Sequence, residues 1–149
     1  MRAVVQRVRH ARVEVNGRQT GAIGEGLAVL LGVMKTDTAR EAIQLADKVV
    51  RLRVFQQDGR MKLSALDIGG GILVIPQFTV CGRPDGNRLS FDPAAPPEIA
   101  RQLYELFVER CRTHPVQVAT GAFQEIMSVI LENTGPVTAI LTAGMDPGL

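Results

Sequence analysis

The sequence has few of the side chains on which catalysis and metal binding usually depend. Its 149 residues include two cysteines, two histidines, one tyrosine and no tryptophan. The spacing of Cys81 and Cys111 indicates neither a disulfide framework nor a metal site, and we expect both to be reduced thiols. With only His10 and His114 beside them, a structural zinc site is not expected either. We therefore predict that the protein uses no metal and no cofactor.

Long apolar runs are also missing. No run approaches the roughly 20 residues that a membrane-spanning helix requires. The opening segment, MRAVVQRVRHARVEV, is too polar for a signal peptide and has no small-residue cleavage site. We therefore expect a cytoplasmic protein without a membrane partner.

The net charge is small, since 17 Lys and Arg face 15 Asp and Glu for a formal charge of +2. Residues 1–18 nevertheless carry five arginines against Glu14 alone. The planar fork of arginine suits phosphate, so this segment permits an RNA partner. A solvated strand face that keeps the protein soluble would give the same pattern. Charge alone decides neither possibility.

The familiar motifs of hydrolases and nucleotide-binding proteins are absent. The sequence contains no G-x-S-x-G elbow, no P-loop and no H-E-x-x-H. Gly69–Gly71 precedes an apolar run and does not open a helix, so it indicates a turn. Cys81 with His114 is one thiol–imidazole combination that could support a generic hydrolase, and it remains a minor alternative.

Hydrophobic spacing predicts an α+β fold in a single domain over residues 1–149. A valine-rich strand reaches the hairpin signal Asn16-Gly17, and two apolar runs indicate central strands. Amphipathic spacing indicates two helices, the first capped by Thr36, Asp37 or Thr38. We expect about seven strands in a mostly antiparallel or mixed sheet that closes toward a barrel. The predicted ranges are Leu27–Val33, Ile72–Ile75, Arg53–Gln56, Val116–Ala119, Met127–Leu131 and Val137–Leu141 for strands, Ala39–Arg51 and Pro97–Thr113 for helices, Cys81–Pro97 for a polar loop, and Ala143–Leu149 for a fraying tail.

Two short segments stand out from this framework. Pro76–Val80 follows a central strand directly, which places Gln77 and Thr79 where they could line a pocket. Asn133–Thr138 lies between two predicted strands and contains Gly135-Pro136. Without further information, the first is a strand-to-loop transition and the second a turn.

Together these segments resemble the two signature motifs of the D-aminoacyl-tRNA deacylases. That family carries Ser-Gln-Phe-Thr-Leu and Asn-x-Gly-Pro-Val-Thr, and here the segments read PQFTV and NTGPVT. The resemblance covers residues 1 to about 142. It includes Gln6-Arg7-Val8, EGLAVLLG ending at Gly32, Phe107–Cys111, and Thr120–Phe123 through Met127 to Pro136.

The resemblance implies a homodimer with active sites at the subunit interface. It implies hydrolysis of D-aminoacyl-tRNA, and of glycyl-tRNA mischarged on tRNA-Ala, at the acceptor end; no DNA partner is expected. A cis Gly135-Pro136 would enter the partner's site, hold the substrate's amino group with two carbonyls, and exclude L side chains. Arg7 matches the arginine that buttresses this loop. Asn133, Val137 and Thr138 complete the motif.

The same resemblance assigns the catalytic half of the site to Gln77, Phe78 and Thr79. The backbone N–H groups of Phe78 and Thr79 would stabilise the oxyanion, while the 2′-hydroxyl of the tRNA activates the water. A nucleophilic Thr79 is a rival role, although no base is apparent nearby. Met127 would line the pocket for the terminal adenosine.

Two departures from the family pattern leave alternatives open. Pro76 replaces the usual Ser, as in the animal-type deacylase that removes L-alanine. That relative has Ala where this chain has Phe78, and it would have a trans Gly135-Pro136 bond. Leu89 stands where the family commonly has Pro, which affects the expected shape of the polar loop. A non-catalytic RNA-binding dimer with the same fold is a further alternative.

Overall fold

A mixed β-sheet forms the centre of the molecule. The computed structural model describes residues 1–144. The strands are β1 (Arg2–Val15), β2 (Arg18–Ile23), β3 (Gly26–Gly32), β4 (Phe55–Gln57), β5 (Arg60–Leu63), β6 (Gly71–Pro76), β7 (Arg83–Asp85), β8 (Arg88–Ser90), β9 (Gln117–Thr120) and β10 (Ser128–Thr142).

The main sheet has the strand order β10-β1-β3-β6-β9, and β2 pairs with the far end of β1. β3, β6 and β9 run parallel, whereas β1 is antiparallel to β10, β2 and β3. The sheet curls until β2 approaches β9, where a Cβ on Gly21 would lie 2.2 Å from the Thr120 carbonyl oxygen. Only glycine permits this contact. The predicted mixed sheet that closes toward a barrel is therefore confirmed.

Within residues 1–144, three α-helices accompany the sheet: α1 (Ala39–Val50), α2 (Ala65–Ile68) and α3 (Pro97–Arg112). Thr38 caps α1, since its hydroxyl accepts from the Arg40 N–H while the Glu41 carboxylate accepts from the Thr38 N–H. Both predicted helices are confirmed. The four-residue α2 was not predicted, because it is too short to show helical periodicity.

The core divides between the two faces of the sheet. Alternate residues of β6 point to opposite sides, so Ile72 and Val74 join the cluster under α1 and α3 while Leu73 and Ile75 join the interior cluster. Burial on both faces explains why β3 and β6 are continuous apolar runs. Phe107 of α3 is the largest fully buried side chain of the outer cluster.

Several predicted elements differ from the structure. The strand predicted at Arg53–Gln56 occupies Phe55–Gln57, and the polar loop contains the hairpin β7–β8. Met127–Leu131 and Val137–Leu141 were predicted as separate strands, but they belong to the single strand β10. The register between β1 and β10 shifts between them, so the chain loops out without leaving the sheet.

The predicted fraying tail was wrong at its first residue. Ala143 is buried, its N–H donates to the Met1 carbonyl over 3.0 Å, and its own carbonyl accepts from the Met1 amino group over 2.8 Å. Met145–Leu149 lie outside the described residues. Within residues 1–144, no helix is long and apolar enough to cross a membrane.

Candidate active site

The first candidate segment, Pro76–Val80, lies just beyond the carboxyl end of β6; we call it the pocket segment. The Gln77 N–H donates to the Leu31 carbonyl over 2.9 Å, which ties the segment to the end of β3. Phe78–Cys81 then forms one 3-10 turn. The buried Arg2 side chain reaches this turn and donates to the Val80 carbonyl over 2.9 Å. Backbone contacts therefore fix the segment, and its side chains are left to face outward.

An apolar cavity of about 390 Å³ opens beside the pocket segment. Four aromatic residues, Phe78, Phe91, Tyr104 and Phe123, contribute to its lining. Phe78 and Phe91 pack edge to face with ring centroids 5.1 Å apart, and Tyr104 lies 6.0 Å from Phe123. Because the molecule has six aromatic residues in all, this clustering is a marked local concentration. It suits a flat, aromatic ligand.

Tyr104 on α3 links the cavity to the central sheet. Its hydroxyl donates to the Val74 carbonyl over 2.8 Å. Burial raises the pKa of Tyr104 well above its ordinary value, so the phenol stays protonated at neutral pH. Tyr104 therefore acts as a fixed wall of the cavity and is unsuited to serve as a base.

The loop formed by residues 121–127 contributes Phe123 and Gln124 to the cavity lining. The Ala122 N–H donates to the Met127 sulfur over 3.3 Å. A Cβ on Gly121 would lie 3.0 Å from that sulfur and 3.3 Å from Pro76 Cδ, so Met127 is a neighbour of the pocket segment. The structure thus places Met127 near Pro76, the first residue of the pocket segment.

The second candidate segment, Asn133–Thr138, bulges out of β10; we call it the bulge. Gln6 pairs with Thr138 and Val8 pairs with Asn133, so only Arg7 of β1 lies opposite the intervening residues. The Asn133 side chain closes the bulge by accepting from the Val137 N–H over 3.0 Å and donating to the Thr138 hydroxyl over 3.0 Å. Gly135 and Pro136 are left exposed at its tip.

Arg7 holds the bulge from below. Its Nε donates to the Thr134 carbonyl over 3.0 Å, and its Nη1 donates to the Val54 carbonyl over 2.6 Å. Gly135 has φ +115°, and a Cβ added to it would lie 2.5 Å from Arg7 Nη2. Glycine is therefore required here for both conformation and space. The Gly135-Pro136 bond is cis, as the resemblance implied.

The pocket segment and the bulge lie at the levels of opposite ends of β3. Arg7, which holds the bulge, pairs with Leu27 near the start of β3, whereas Leu31 near its end pairs with Pro76. Four residues of strand separate these levels, or about 13 Å at 3.3 Å per residue. A single copy of the chain therefore does not bring Gly135 to Gln77 and Thr79.

Comparison with known proteins identifies the family of this chain. The family model for D-Tyr-tRNA(Tyr) deacylase matches residues 4–142. The chain belongs to the D-Tyr-tRNA(Tyr) deacylase family. A relative from Geobacter sulfurreducens, named D-aminoacyl-tRNA deacylase, is 52% identical over 95% of this chain and 94% of its own length. One from Thermosipho africanus with the same name is 48% identical, covering 95% of this chain and 96% of the relative.

Solved structures with the same fold are also found. A c-Myc DNA unwinding element binding protein superposes with a TM-score of 0.92 at 40% identity, covering 97% of this chain and all of that one. A probable eukaryotic D-amino acid tRNA deacylase has a TM-score of 0.82 at 16% identity, covering 95% and 98%. The second likeness concerns the fold alone.

The cysteine–histidine alternative finds no support in this deacylase-family chain. Cys81 is fully buried, and its thiol donates to the Val33 carbonyl. Cys111 is also fully buried, which raises its thiol pKa to about 12. His114 instead lies 3.0 Å from Asp47, whose pKa the Arg110 guanidinium lowers to about 2. No group of His, Cys, Asp and Glu within the described residues could hold a metal ion.

Some residues of the site could not be found by sequence reasoning. Arg2, Phe91, Tyr104 and Gln124 reach the pocket segment or the cavity from four separate parts of the chain. No local spacing marks them. Phe123 and Gln124 lie in a stretch with family resemblance, which was the signal available for these two residues.

Proposed function

We propose that this chain hydrolyses the ester between a D-amino acid, or glycine, and the 3′ end of tRNA. The carrying observation is the family match over residues 4–142, with relatives at about half identity named D-aminoacyl-tRNA deacylase. Both signature segments also lie where a ligand can reach them. Such an enzyme would work in the cytoplasm, on charged tRNA.

The cavity is the proposed site of the terminal adenosine. Its volume and its four aromatic walls suit a purine, since base–aromatic stacking contributes about 1–3 kcal/mol per base. Met127 lies beside the pocket segment, where the ribose would meet the reacting ester. In this proposal the scissile carbonyl lies next to Phe78 and Thr79.

Backbone N–H groups are the proposed stabilisers of the oxyanion. Phe78 and Thr79 open the 3-10 turn, and the first N–H groups of such a turn have no acceptor within it. Two N–H groups pointing at developing negative charge can contribute several kcal/mol to the transition state. The Gln77 amide donates to the Thr79 hydroxyl, which orients both side chains at this point.

A side-chain nucleophile fits the cavity poorly. Among its described lining residues there is no His, Asp, Glu or Lys that could remove a proton from Thr79. We therefore assign the activation of water to the 2′-hydroxyl of the substrate itself. Thr79 then orients Gln77 through their hydrogen bond and is not acylated during turnover.

A second copy of the chain is the proposed provider of the bulge. The bulge and the pocket segment lie at the levels of opposite ends of β3, so two copies related by a twofold axis could each complete the other's site. β10 pairs only with β1 among the described strands, and its exposed side chains include Val129 and Ile140. An open edge carrying apolar residues suits burial against a partner.

The bulge is also the proposed filter for chirality. Its tip is backbone, with no side chain on Gly135, and Arg7 and Asn133 hold it from both sides. A rigid wall close to the α-carbon would admit the hydrogen of a D-residue or glycine and exclude an L side chain. The filter thereby acts through shape, without a binding pocket for any particular side chain.

Pro76 is the observation that favours a second candidate, the removal of L-alanine from mischarged tRNA. Hydrolysis of matched D-tyrosyl-, L-tyrosyl-, glycyl- and L-alanyl-tRNA separates the two. We expect cleavage of the D-tyrosyl and glycyl esters with L-tyrosyl spared. Preferential cleavage of L-alanyl-tRNA would replace this proposal with the second candidate, and binding without cleavage would indicate a non-catalytic RNA-binding dimer.

A further inference from the structure

Gln124 has an unusual backbone conformation at the rim of the cavity. Its φ is +61°, in the left-handed region that only a few per cent of non-glycine residues adopt. Asn and Asp are enriched there, and Gln has no such local advantage. Gln124 is exposed and is one of the residues that line the cavity. A position that favours glycine thus carries a long amide beside the proposed base-binding site.

The residues around Gln124 fix its position. The preceding ring, Phe123, is covered by the Arg101 guanidinium 4.6 Å from its centroid and packs against Tyr104 on α3. On the other side, the Met127 sulfur accepts from the Ala122 N–H and closes the loop. The loop is therefore held at both ends, with Gln124 at its turn.

Among the described residues that line the cavity, one polar side chain is available to recognise a base by hydrogen bonds. Three of its lining side chains carry polar atoms: Gln77, Tyr104 and Gln124. The Gln77 amide donates to Thr79 and the Tyr104 hydroxyl donates to Val74. Within residues 1–144, the Gln124 carboxamide makes no hydrogen bond. It is thus available to a ligand.

We propose that Gln124 is a specificity-determining residue that reads the terminal adenine. Its amide oxygen would accept from the N6 amino group while its NH₂ donates to N7, the bidentate pairing that glutamine makes with adenine. Guanine presents two acceptors at the same edge and cannot form this pair. The inference rests on the proposed function, since it assumes that the cavity holds the terminal adenosine.

The test compares ester substrates that differ in one ring atom. The D-tyrosyl esters of adenosine and of 7-deazaadenosine share every feature except the N7 acceptor. We expect wild type to show a kcat/KM about tenfold higher for the adenosine ester, the effect of one good base contact. Gln124→Glu, which has no donor for N7, should bring this ratio close to one.

Gln124→Gly supplies a variant whose folding is secure, because glycine adopts positive φ without strain. It should retain its melting temperature and lose the preference for the adenosine ester. Gln44→Glu is the matched control, an amide-to-acid change on an exposed face of α1, and it should retain the wild-type ratio.

Failure of the inference is distinguishable from failure of the proposed function. If Gln124→Gly keeps the tenfold ratio, or loses activity equally on both esters, Gln124 does not read the base and the inference is overturned. If wild type cleaves neither ester and also fails to cleave D-tyrosyl-tRNA, the proposed function fails and the inference fails with it. If wild type cleaves both esters equally, N7 is not recognised and the inference is again overturned.

Discussion

The pocket segment and the bulge are held in place by different means. Backbone hydrogen bonds to β3 and the Arg2 contact hold the pocket segment, while aromatic residues surround its cavity. Polar side chains hold the bulge, with Arg7 beneath it and Asn133 across its base. An apolar cavity gains affinity from buried area, whereas a rigid polar bulge defines a shape. We infer that the first half binds the substrate and the second half selects among substrates.

The difference predicts separate kinetic signatures for the two halves. Damage to the cavity should weaken the binding of every substrate and raise KM. Damage to the bulge should alter the ratio between D and L substrates. The variants below test this division, from the largest expected effect to the smallest.

Gly135→Ala should cause the largest loss. The new Cβ would lie 2.5 Å from Arg7 Nη2, and the backbone at φ +115° disfavours any L side chain, so the tip must move. A displacement of about 1 Å in a catalytic arrangement can cost about 100-fold in rate. We expect a loss of that size in kcat/KM for D-tyrosyl-tRNA.

Gly17→Ala is the matched control for this change. Gly17 also has positive φ, at +75°, but a Cβ there would meet nothing within 4 Å. It should lower the melting temperature and leave activity intact. An equal loss of activity in both variants would mean that Gly135 matters through stability alone.

Phe123→Ala should raise KM about tenfold, by removing one aromatic wall from the cavity. Its discrimination between D- and L-tyrosyl-tRNA should remain at the wild-type level. Steady-state kinetics on both substrates measure the two quantities separately. A collapse of discrimination in this variant would abolish the proposed division between the halves.

Arg7→Lys should instead alter the discrimination between D- and L-tyrosyl-tRNA, the property that Phe123→Ala leaves unchanged. Lysine cannot donate to Thr134 and Val54 from two fixed nitrogens, so the bulge loses part of its support. We expect about a fivefold rise in the relative rate on L-tyrosyl-tRNA, equivalent to one weakened hydrogen bond. Arg9→Lys is the control, since Arg9 pairs with Glu132 at the surface, its side chain 72% exposed.

Thr79→Ala should reduce kcat by no more than about threefold, since the proposed chemistry uses its backbone N–H. A loss comparable with that of Gly135→Ala would instead indicate that the hydroxyl takes part directly. Cleavage of D-tyrosyl-tRNA by the two variants, measured side by side, decides this.

Asp47→Asn lies outside both halves and should affect stability alone. Asp47 joins α1 to α3 through Arg110 at 2.8 Å, and this contact lowers the Asp47 pKa to about 2. Because the folded pKa is depressed, the stabilisation is present above the ordinary pKa near 4 and is lost as pH falls toward 2. Partial exposure limits it to about 1 kcal/mol.

Urea denaturation at several pH values measures this contribution. The stability gap, which is the difference in the free energy of unfolding between wild type and Asp47→Asn, should narrow as pH falls from 4 to 2. A gap that is constant over that range would mean that the ion pair does not stabilise the fold. Glu109→Gln, which breaks a more exposed pair with Arg112, should produce a smaller gap.

Local sequence signals predicted the parts of the fold that depend on neighbours along the chain. The helical spacing of Ala42, Ala46 and Val49 and the turn at Asn16-Gly17 are examples. Local signals could not predict that Asn133–Thr138 forms a bulge within one strand. Whether Asn133–Thr138 separates two strands or interrupts one depends on bonds from Arg7 and Asn133, which periodicity does not reveal.

The same limit applied to the candidate site. The resemblance identified the pocket segment and the bulge, because each is a contiguous motif. It could not indicate that they lie at opposite ends of β3, since that follows from strand register. Tyr104 and Gln124 were missed because they become neighbours only in three dimensions.

The central claim is that each active site combines the pocket segment of one copy with the bulge of another. Two variants test it. Gly135→Ala damages the bulge, and Ala100→Phe fills the cavity from α3 without touching the bulge. Each should be nearly inactive alone. Differently tagged copies are mixed, dissociated and reassociated, and native mass spectrometry confirms that mixed dimers form.

A mixed dimer would contain one site with both defects and one with neither. Random association should therefore restore about a quarter of the wild-type activity on D-tyrosyl-tRNA. Mixed dimers that remain inactive would contradict the claim, because they would place both halves of the site within a single copy.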